Sequence, residues 1–339
     1  MAKLSSKNSF QTFWDNVAGI YDSFVLSNVS PSNIKDLELI EDDFFVHVLN
    51  EHVSCEKKTV FIEIGSGTGR YLLKSLEKIF VNQQYDQFLS KIVGIDFSLN
   101  MIEKSIDKIV NLIPKIAEKL EIDVATVEKW VRAKVMLINA DVARPYLSVE
   151  GDALPLVGIM FGTLGNIPQS DHEAVLFHVK NLIDQGGVGI ITVFNAEQQQ
   201  IGKEVYKQLE NIVGANLTWD ESTKTFSTSD CGFYSHWFEP TQFIELLTKW
   251  FNIQEMNKIA KQGIVTKINT TPIKNETLPV RSGHPVEIFL LCPICSNKLT
   301  LLPVEKRLIT CQHCSSKFPI KDIQGFKVPI LLKETKSFE

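Results

Sequence analysis

Apolar and polar residues alternate along the chain in blocks of different period. Three short apolar runs rich in β-branched residues, at 59–62, 91–95 and 135–138, have the length of buried strands. The segment 102–134 instead repeats its apolar residues at helical spacing and starts afresh at Asp123, which predicts two helices. Strands that alternate with helices in this way predict an α/β fold with a parallel sheet.

The second half of the chain continues this pattern. Four more strands are predicted, at 154–161, 188–194, 232–238 and near 251–256. Two further helices are predicted, at 240–250 and, near the N-terminus, at 13–24. The sheet is therefore expected to contain seven strands.

A glycine-rich turn follows the first predicted strand and precedes a helix. It places Glu63 two residues before Gly65, and Gly67 and Gly69 follow at alternate positions. A strand, a glycine turn and a helix in this order predict the first half of a nucleotide-binding βα unit. A dinucleotide site would have a third glycine where Arg70 stands, so the pattern does not match that class.

Three acidic residues stand at the ends of the first three predicted strands. Glu63 precedes the glycine turn, Asp96 ends the second strand and Asp141 follows the third. Singly, such residues are compatible with a tight turn or a helix cap. Together, at the carboxyl ends where open α/β sheets bind ligands, they predict a cationic ligand. S-adenosylmethionine fits because it offers an ammonium and a sulfonium and no phosphate.

The motifs as a set resemble those of the class I S-adenosylmethionine-dependent methyltransferases. Gly94, Asp96, Ser98 and Met101 match the second motif of that family. The resemblance implies a Rossmann-like, seven-stranded sheet with flanking helices and an enzyme that uses S-adenosylmethionine. It also implies that the cofactor-binding residues are Tyr21, Glu63, Gly65, Gly67, Gly69, Asp96, Phe97, Met101, Asp141 and Val142.

The loop 162–168 faces the transferred methyl group in that family and carries the substrate information. Its sequence lacks the double proline and the aromatic residue of nucleic-acid amino-methyltransferases, and its Leu164-Gly165-Asn166 core resembles enzymes that methylate small amines. The resemblance implies substrate contacts by Asn166, Tyr234 and His236, and catalytic roles for Asn166, His236 and Tyr21.

His236 and the N-terminal helix each have a plainer interpretation. A single histidine is often a packed residue; if His236 acts, it could take the amine proton because an imidazole titrates near working pH. Tyr21 is a candidate for the lid over the cofactor, whereas Trp14 is expected to pack the helix down.

Four cysteines near the C-terminus have the spacing of a tetrahedral zinc site. They are Cys292, Cys295, Cys311 and Cys314. A disulfide pairing is the alternative, which an intracellular chain disfavours. Four thiolates close the coordination shell, so the zinc is expected to be structural.

The region around these cysteines resembles the small zinc-ribbon activator proteins of tRNA and protein methyltransferases. The domains are accordingly predicted as 1–289 for the methyltransferase, with a helical insertion at about 102–134, then 290–333 for the zinc ribbon and 334–339 as a tail. The zinc ribbon is expected to cover a sheet edge or an apolar patch of the methyltransferase.

Composition and charge narrow the class of substrate. The 339 residues are 44% hydrophobic and 22% charged, with no membrane-length apolar run and no signal peptide at 1–11, so a cytoplasmic protein without a membrane partner is expected. Residues 291–339 carry eight basic and four acidic residues, and the remainder carries 27 and 36. An acidic catalytic part disfavours nucleic acid without excluding it.

The predicted function is methylation of a small amine-bearing metabolite, with nitrogen as the favoured acceptor. An RNA or protein methyltransferase whose zinc domain recruits the macromolecule is the alternative, and a catalytically silent binding protein is the third interpretation. A homodimer is compatible with all three.

Overall fold

The computed structural model describes residues 6–22, 32–55, 57–144, 146–184, 186–213, 216–228, 232–270, 286–299 and 307–332. The helices in this part of the chain are α1 (Ser6–Val17), α2 (Ser32–Ser54), α3 (Arg70–Val81), α4 (Gln83–Phe88), α5 (Leu99–Leu120), α6 (Val124–Lys134), α7 (Thr163–Asn166), α8 (His172–Ile183), α9 (Gln199–Val213) and α10 (Pro240–Thr248). Short 3-10 helices cover Gln169–Asp171 and Ala196–Gln198. None of the helices described is long and apolar enough to cross a membrane.

The strands alternate with the helices through most of the chain. They are β1 (Lys58–Ile64), β2 (Leu89–Asp96), β3 (Val135–Ala140), β4 (Leu147–Glu150), β5 (Ala153–Ile159), β6 (Val188–Phe194), β7 (Thr218–Asp220), β8 (Thr225–Ser227), β9 (Tyr234–His236), β10 (Asn252–Ile259), β11 (Gly263–Asn269), β12 (Glu287–Leu290), β13 (Leu308–Thr310), β14 (Lys317–Ile323) and β15 (Phe326–Leu331). The predicted α/β class is confirmed, and so are the two helices of the insertion, α5 and α6.

The chain divides into two compact units, each built from two segments. Unit 1 comprises Met1–Glu51 and Val157–Pro272, and unit 2 comprises His52–Leu156 and Ile273–Glu339. Two of the boundaries between them fall inside elements, after Glu51 in α2 and after Leu156 in β5. The cysteine-containing region therefore belongs to the same unit as β1, β2 and β3. The domain boundaries expected from the sequence, at 289 and 333, stay a prediction.

Unit 2 is organised around parallel strands. β2 pairs with β1 on one side and with β3 on the other, and Glu63 aligns with Gly94 while Asp96 aligns with Asn139. All of β1 after its first residue is buried, which suits a strand covered on both faces. β15 continues the sheet as a parallel neighbour of β3, and β14 and β13 follow it in antiparallel order. β12 and β4 form a separate two-stranded sheet.

Unit 1 contains a group of antiparallel neighbours, β10, β11 and β6. β11 pairs antiparallel with β6 and with β10. With β5, which contributes residues to both units, the main strand order contains ten strands rather than the seven predicted. The C-terminal strands β13, β14 and β15 account for the difference.

The strand predicted at 232–238 does not belong to the main sheet. Of residues 232–238 only Tyr234–His236 is a strand, and it belongs to a three-stranded sheet with β7 and β8. The main sheet instead contains β11, a strand that was not predicted from the sequence. Thr266 and Lys267 interrupt the apolar pattern of this strand. Thr266 is buried and donates its hydroxyl to the Ile191 carbonyl at 3.0 Å, and Lys267 forms an ion pair with Glu51 at 2.5 Å.

The N-terminal helix packs as part of an aromatic cluster in unit 1. α1 ends at Val17, short of the predicted end at 24, and residues 23 and 24 lie outside the described part of the chain. The buried members of the cluster are Phe13, Val17, Ala196, Tyr206, Phe226, Phe233 and Trp237. Trp14 packs against them, as expected.

Replacing Gly94 with alanine is expected to lower the free energy of unfolding by about 1–3 kcal/mol, because the added methyl group overpacks the core. A Cβ at this position would lie 2.7 Å from Leu72 Cδ1 and 2.8 Å from Leu137 Cδ2. Chemical denaturation measures the change. Gly19→Ala is the control, since nothing lies within 4 Å of its Cβ position. An unchanged unfolding midpoint for Gly94→Ala would contradict this packing.

Candidate active site and zinc site

The glycine turn of unit 2 is held against the end of β2. The N–H groups of Gly65 and Ser66 both donate to the carbonyl of Ile95, at 2.8 and 2.9 Å. Gly65, Gly67 and Gly69 all have left-handed backbone angles, with φ of 68°, 52° and 82°. Residues with a side chain rarely adopt these angles, so the turn needs its glycines for backbone conformation.

Two of these glycines differ in what surrounds them. A Cβ at Gly69 would lie 2.2 Å from Ser105 Oγ on α5, so this glycine allows the turn to pack against the helix. At Gly67 nothing lies within 4 Å of the Cβ position. The turn is therefore closed on the helix side and open beside Gly67, where a ligand can approach the backbone.

Three carboxylates lie at the carboxyl edge of β1, β2 and β3. Glu63 is the next-to-last residue of β1 and only 3% exposed, Asp96 ends β2, and Asp141 directly follows β3. Because the three strands are parallel neighbours, their ends meet at one edge of the sheet. Asp141 also accepts a hydrogen bond from the Ala143 N–H at 3.1 Å.

Asp96 is fixed by backbone hydrogen bonds on both of its oxygens. Its Oδ2 accepts from the Gly67 N–H at 2.7 Å, and its Oδ1 accepts from the Ser98 N–H at 2.8 Å. Each carboxylate oxygen has a second lone pair. The carboxylate can therefore hold the turn in place and still accept hydroxyl groups of a ligand.

Two polar residues that the sequence reading did not assign support this edge. Asn139 is 1% exposed, and its side-chain amide donates to the carbonyls of Asp96 and Phe97, both at 3.0 Å. Lys108 on α5 donates to the Thr68 hydroxyl at 2.8 Å. Asn139 could have been recognised in the sequence as a polar residue inside an apolar strand. The contact of Lys108 with Thr68 is visible only in the fold.

The remaining residues predicted for the cofactor are placed as follows. Met101 and Val142 are buried at 3% and 8% exposure, Phe97 is half-buried, and the Met101 N–H donates to the Ser98 hydroxyl at 3.2 Å to cap α5. Tyr21 belongs to unit 1, where its ring centroid lies 6.1 Å from that of Trp14. The carboxylates and the open space at Gly67 fit a cationic ligand such as S-adenosylmethionine.

The candidate acceptor loop belongs to unit 1. Asn166 ends the single-turn helix α7, which begins after Gly162. A Cβ at Gly162 would lie 2.4 Å from the Phe194 ring, and one at Gly165 would lie 2.2 Å from the His236 carbonyl. The two glycines thus allow the loop to approach β6 and β9 closely, which brings the backbone beside Asn166 next to that of His236.

His236 is buried and its tautomer follows from its neighbours. Its Nδ1 lies 2.9 Å from the Thr223 carbonyl, so Nδ1 carries the proton and donates it there. The side-chain nitrogen of Gln169 lies 2.8 Å from Nδ1 and 3.2 Å from Nε2. Because Nδ1 is already a donor, Nε2 is the ring atom that accepts, and the Gln169 amide donates to it at 3.2 Å.

The charge state of His236 differs from the sequence expectation. Burial, together with the nearby His172, lowers the pKa of His236 to about 4. The expected titration near working pH is therefore not what the fold provides, because the apolar surroundings disfavour the charged ring. At neutral pH His236 is an uncharged hydrogen-bond acceptor that holds a proton poorly.

A pocket of about 400 Å³ opens beside His236 in unit 1. Its lining residues are Gln169, Ser170, His172, Glu173, His236, Phe238, Gln242 and Leu246. His172 bonds the Ile167 carbonyl through Nε2 at 2.8 Å, and burial lowers its pKa too. Tyr234 is half-buried on β9, and burial raises its pKa. The polar lining consists mainly of amides and neutral imidazoles.

The four predicted metal ligands come together in unit 2. Their Sγ atoms all lie within 4.8 Å of one another, with Cys292 to Cys314 at 3.6 Å and Cys295 to Cys311 at 3.5 Å. A tetrahedral site with Zn–S bonds of about 2.3 Å places its sulfurs roughly 3.8 Å apart. The thiols therefore fit a zinc ion, and the geometry suits a structural site.

Both cysteine pairs adopt the same backbone turn. The N–H of Ser296 donates to the Cys292 carbonyl at 2.8 Å, and the N–H of Ser315 donates to the Cys311 carbonyl at 2.9 Å. Each serine has a φ of 60°, which is unusual for a residue with a side chain. The repeated turn points two thiols to the same side in each half, so the metal site is built from two equivalent halves.

The fold is similar to solved methyltransferase structures. They include the CcbJ methyltransferase from Streptomyces caelestis, 15% identical over 77% of this chain and 99% of that chain with a TM-score of 0.49. An S-adenosylmethionine-dependent methyltransferase from Clostridium acetobutylicum ATCC 824 matches at 14% identity over 76% and 98%, with a TM-score of 0.41.

A third similar structure contains ligands. It is the 1,6-didemethyltoxoflavin-N1-methyltransferase from Burkholderia thailandensis with bound 1,6-didemethyltoxoflavin and S-adenosylhomocysteine, 12% identical over 80% of this chain and 92% of that chain, with a TM-score of 0.44. No protein-family model matches the chain, and no curated protein matches it.

Zinc analysis by mass spectrometry is expected to find about one zinc ion per chain, because four thiols at these distances form one closed site. Cys295→Ser should lower the zinc content and the melting temperature together, since metal binding contributes to folding. Cys55→Ser is the matched control, because this exposed cysteine is not in the cluster. Full zinc occupancy in the Cys295→Ser protein would contradict the assignment.

The free energy of unfolding is expected to fall as the pH drops from about 6.5 to about 4, with His236 contributing up to about 3 kcal/mol. A folded-state pKa below the unfolded value means that the unfolded chain binds more protons in this window. The stability is therefore present above pH 6.5 and is lost as the pH approaches the folded pKa. Denaturation of His236→Gln across the same range should give a shallower slope; identical slopes would contradict the buried neutral state.

Proposed function

We propose that the protein is an S-adenosylmethionine-dependent methyltransferase that methylates the amine of a small metabolite. The observation that carries this proposal is the set of three carboxylates, Glu63, Asp96 and Asp141, at the carboxyl edge of three adjacent parallel strands. The turn beside them leaves open space at Gly67. Open α/β sheets bind their ligands at this edge.

The buried position of Glu63 favours a cationic ligand over a neutral or anionic one. A carboxylate that is 3% exposed is costly to hold away from water, and a positively charged group lowers that cost. S-adenosylmethionine supplies, when bound, a methyl group activated by a sulfonium centre. We assign its amino-acid end to Glu63 and its ribose hydroxyls to Asp96.

The other cofactor contacts are proposed because the residues lie at or near the same edge of the sheet. Asp141 and the following Val142 are assigned to the adenine ring, and Phe97 and Met101 flank the ligand. Asn139 keeps the Asp96–Phe97 backbone in place through its two hydrogen bonds. Tyr21 is proposed as a lid contact over the cofactor, which would exclude water from the site.

The acceptor proposal rests on the loop that ends in Asn166 and on the pocket beside His236. A volume of about 400 Å³ suits a small molecule. An amine N–H that takes the place of the Gln169 amide would donate to Nε2 of His236 and orient the amine lone pair. We assign further contacts to Asn166 and Tyr234, which stand outside the pocket lining itself. Because the pKa of His236 is about 4, its role is to orient a neutral amine rather than to store the proton. Orientation is a large source of rate in such reactions.

Charge favours a small metabolite over nucleic acid. Residues 1–290 carry 27 basic and 36 acidic residues, a formal charge of −9, whereas residues 291–339 carry +4. Nucleic-acid enzymes present basic surfaces to phosphates. The macromolecular alternative would therefore depend on the C-terminal region alone.

We propose that the zinc site stabilises the C-terminal strands at the outer edge of β3. β15 pairs with β3 through Ile330 and Leu331. Lys321 of β14 reaches Glu103 on α5 at 2.6 Å, and Arg132 of α6 lies over the ring of Phe326 at 4.6 Å. An exposed strand edge invites association with other chains. The added strands cover it, and the closed metal site would hold them together.

Calorimetric titration with S-adenosylhomocysteine is expected to detect binding to the purified protein. Glu63→Gln and Asp96→Asn should each weaken the affinity by about 10-fold or more, because each removes a charged hydrogen-bonding partner worth about 1.5–3 kcal/mol. Glu118→Gln, an exposed acid on α5, is the control and should bind like the parent protein.

Two outcomes would count against the proposal. Absence of S-adenosylhomocysteine binding by the parent protein would leave a non-enzymatic binding protein. Salt-sensitive retention of the protein on RNA would favour the macromolecular substrate over the small amine.

A further inference from the structure

Glu41 is a deeply buried acid that no step of the proposed chemistry uses. Among the described residues the fully buried carboxylates are Glu63, at 3% exposure, and Glu41, at 0%. Glu63 lies at the candidate cofactor site. Glu41 lies on α2 in unit 1, where the helical repeat places it on the same buried face as Leu37 and Phe45. An apolar residue would ordinarily occupy such a position.

The carboxylate of Glu41 contacts the backbone at the end of β5. Its Oε1 accepts a hydrogen bond from the Phe161 N–H at 2.7 Å, across 120 residues of sequence. A charged acceptor makes a stronger hydrogen bond to an N–H than a neutral one does. Glu41 is thus placed to determine the conformation of the chain where it leaves the strand.

The chain is unusual at this point. Phe161 has a φ of 52° although it carries a large side chain, and Gly162 follows with a φ of 73°. A left-handed angle at a bulky residue persists only where the surroundings hold it. The Gly162 N–H donates to Thr192 at 3.1 Å, and the Phe161 ring meets that of Phe194 at 6.1 Å. The hydrogen bond to the Glu41 carboxylate therefore stabilises a turn whose backbone angles are unfavourable on their own.

This turn leads directly into the acceptor loop. α7 begins immediately after Gly162 and ends at Asn166, the residue assigned to the methyl acceptor. A helix of one turn has little stability of its own, so its direction follows from how it begins. On the other side α2 is firmly packed, since a Cβ at Gly263 of β11 would lie 2.4 Å from Leu37 Cδ1.

We propose that Glu41 is a positioning residue for the methyl acceptor: its carboxylate holds the Phe161 N–H and so fixes the turn that presents Asn166. The inference rests on the proposed function for the role of Asn166. It assigns no contact with substrate to Glu41 itself. A glutamine at this position keeps an acceptor oxygen, whereas an alanine removes it.

The test compares Glu41→Gln, Glu41→Ala and the control Asp43→Ala, an exposed acid on the same helix. Hydrogen exchange of the peptide 157–168 measures the turn directly. Glu41→Ala should accelerate exchange at the Phe161 amide about 10-fold or more, while Glu41→Gln and Asp43→Ala should stay near the parent protein. The proposal is overturned if the Phe161 amide of Glu41→Ala exchanges at the rate of the parent protein. If Glu41→Ala does not fold, the proposal is overturned when the Phe161 amide of Glu41→Gln exchanges as fast as an unprotected amide.

The functional arm uses radiolabelled S-adenosylmethionine with glycine and histidine as amine probes. Glu41→Ala should lower kcat about 10-fold, with the affinity for S-adenosylhomocysteine within 2-fold of the parent value and with activity restored in Glu41→Gln. A loss of cofactor affinity in parallel with kcat would indicate a general structural role and overturn the proposal. If the parent protein methylates neither probe, that result counts against the proposed acceptor class, and the exchange data alone decide for or against Glu41.

Discussion

The hydrogen bond between the Gly67 N–H and the Asp96 carboxylate links the two motifs on which the candidate cofactor site depends. At 2.7 Å it joins the glycine turn after β1 to the end of β2, and the same carboxylate accepts from the Ser98 N–H that begins α5. One side chain thus organises a turn, a strand end and a helix start. The parallel register of β1, β2 and β3 then brings Glu63 and Asp141 to the same edge. The electrostatic character of the site follows from this arrangement.

The elements around the candidate cofactor site could be predicted because their determinants are local. A buried strand, a glycine turn and a terminal acid are each visible within a few residues of sequence. Parallel pairing of the strands then brings their ends to one edge of the sheet. Asn139 was less visible, although a polar residue inside a buried run was a signal. Lys108 could not be found in this way, because its contact with Thr68 joins residues 40 positions apart.

The region proposed for the methyl acceptor depends on contacts that the sequence does not reveal. β11 was missed because a buried threonine and a lysine paired with Glu51 interrupt its apolar pattern. The pKa of His236 follows from burial and from His172, which stands 64 positions earlier in the chain. Glu41 was one acid among several in an acidic helix, and only the fold distinguishes it from its neighbours. Residues of this kind act through long-range packing, which has no short sequence signature.

The pairing of β15 with β3 has a consequence for how the protein is made. Ile330 lies beside Asn139, so 191 positions of chain separate two residues that are neighbours in the sheet. During synthesis the outer edge of β3 has no such neighbour until the last part of the sheet emerges from the ribosome. For that interval the nascent chain carries an open edge of the sort that associates with other chains.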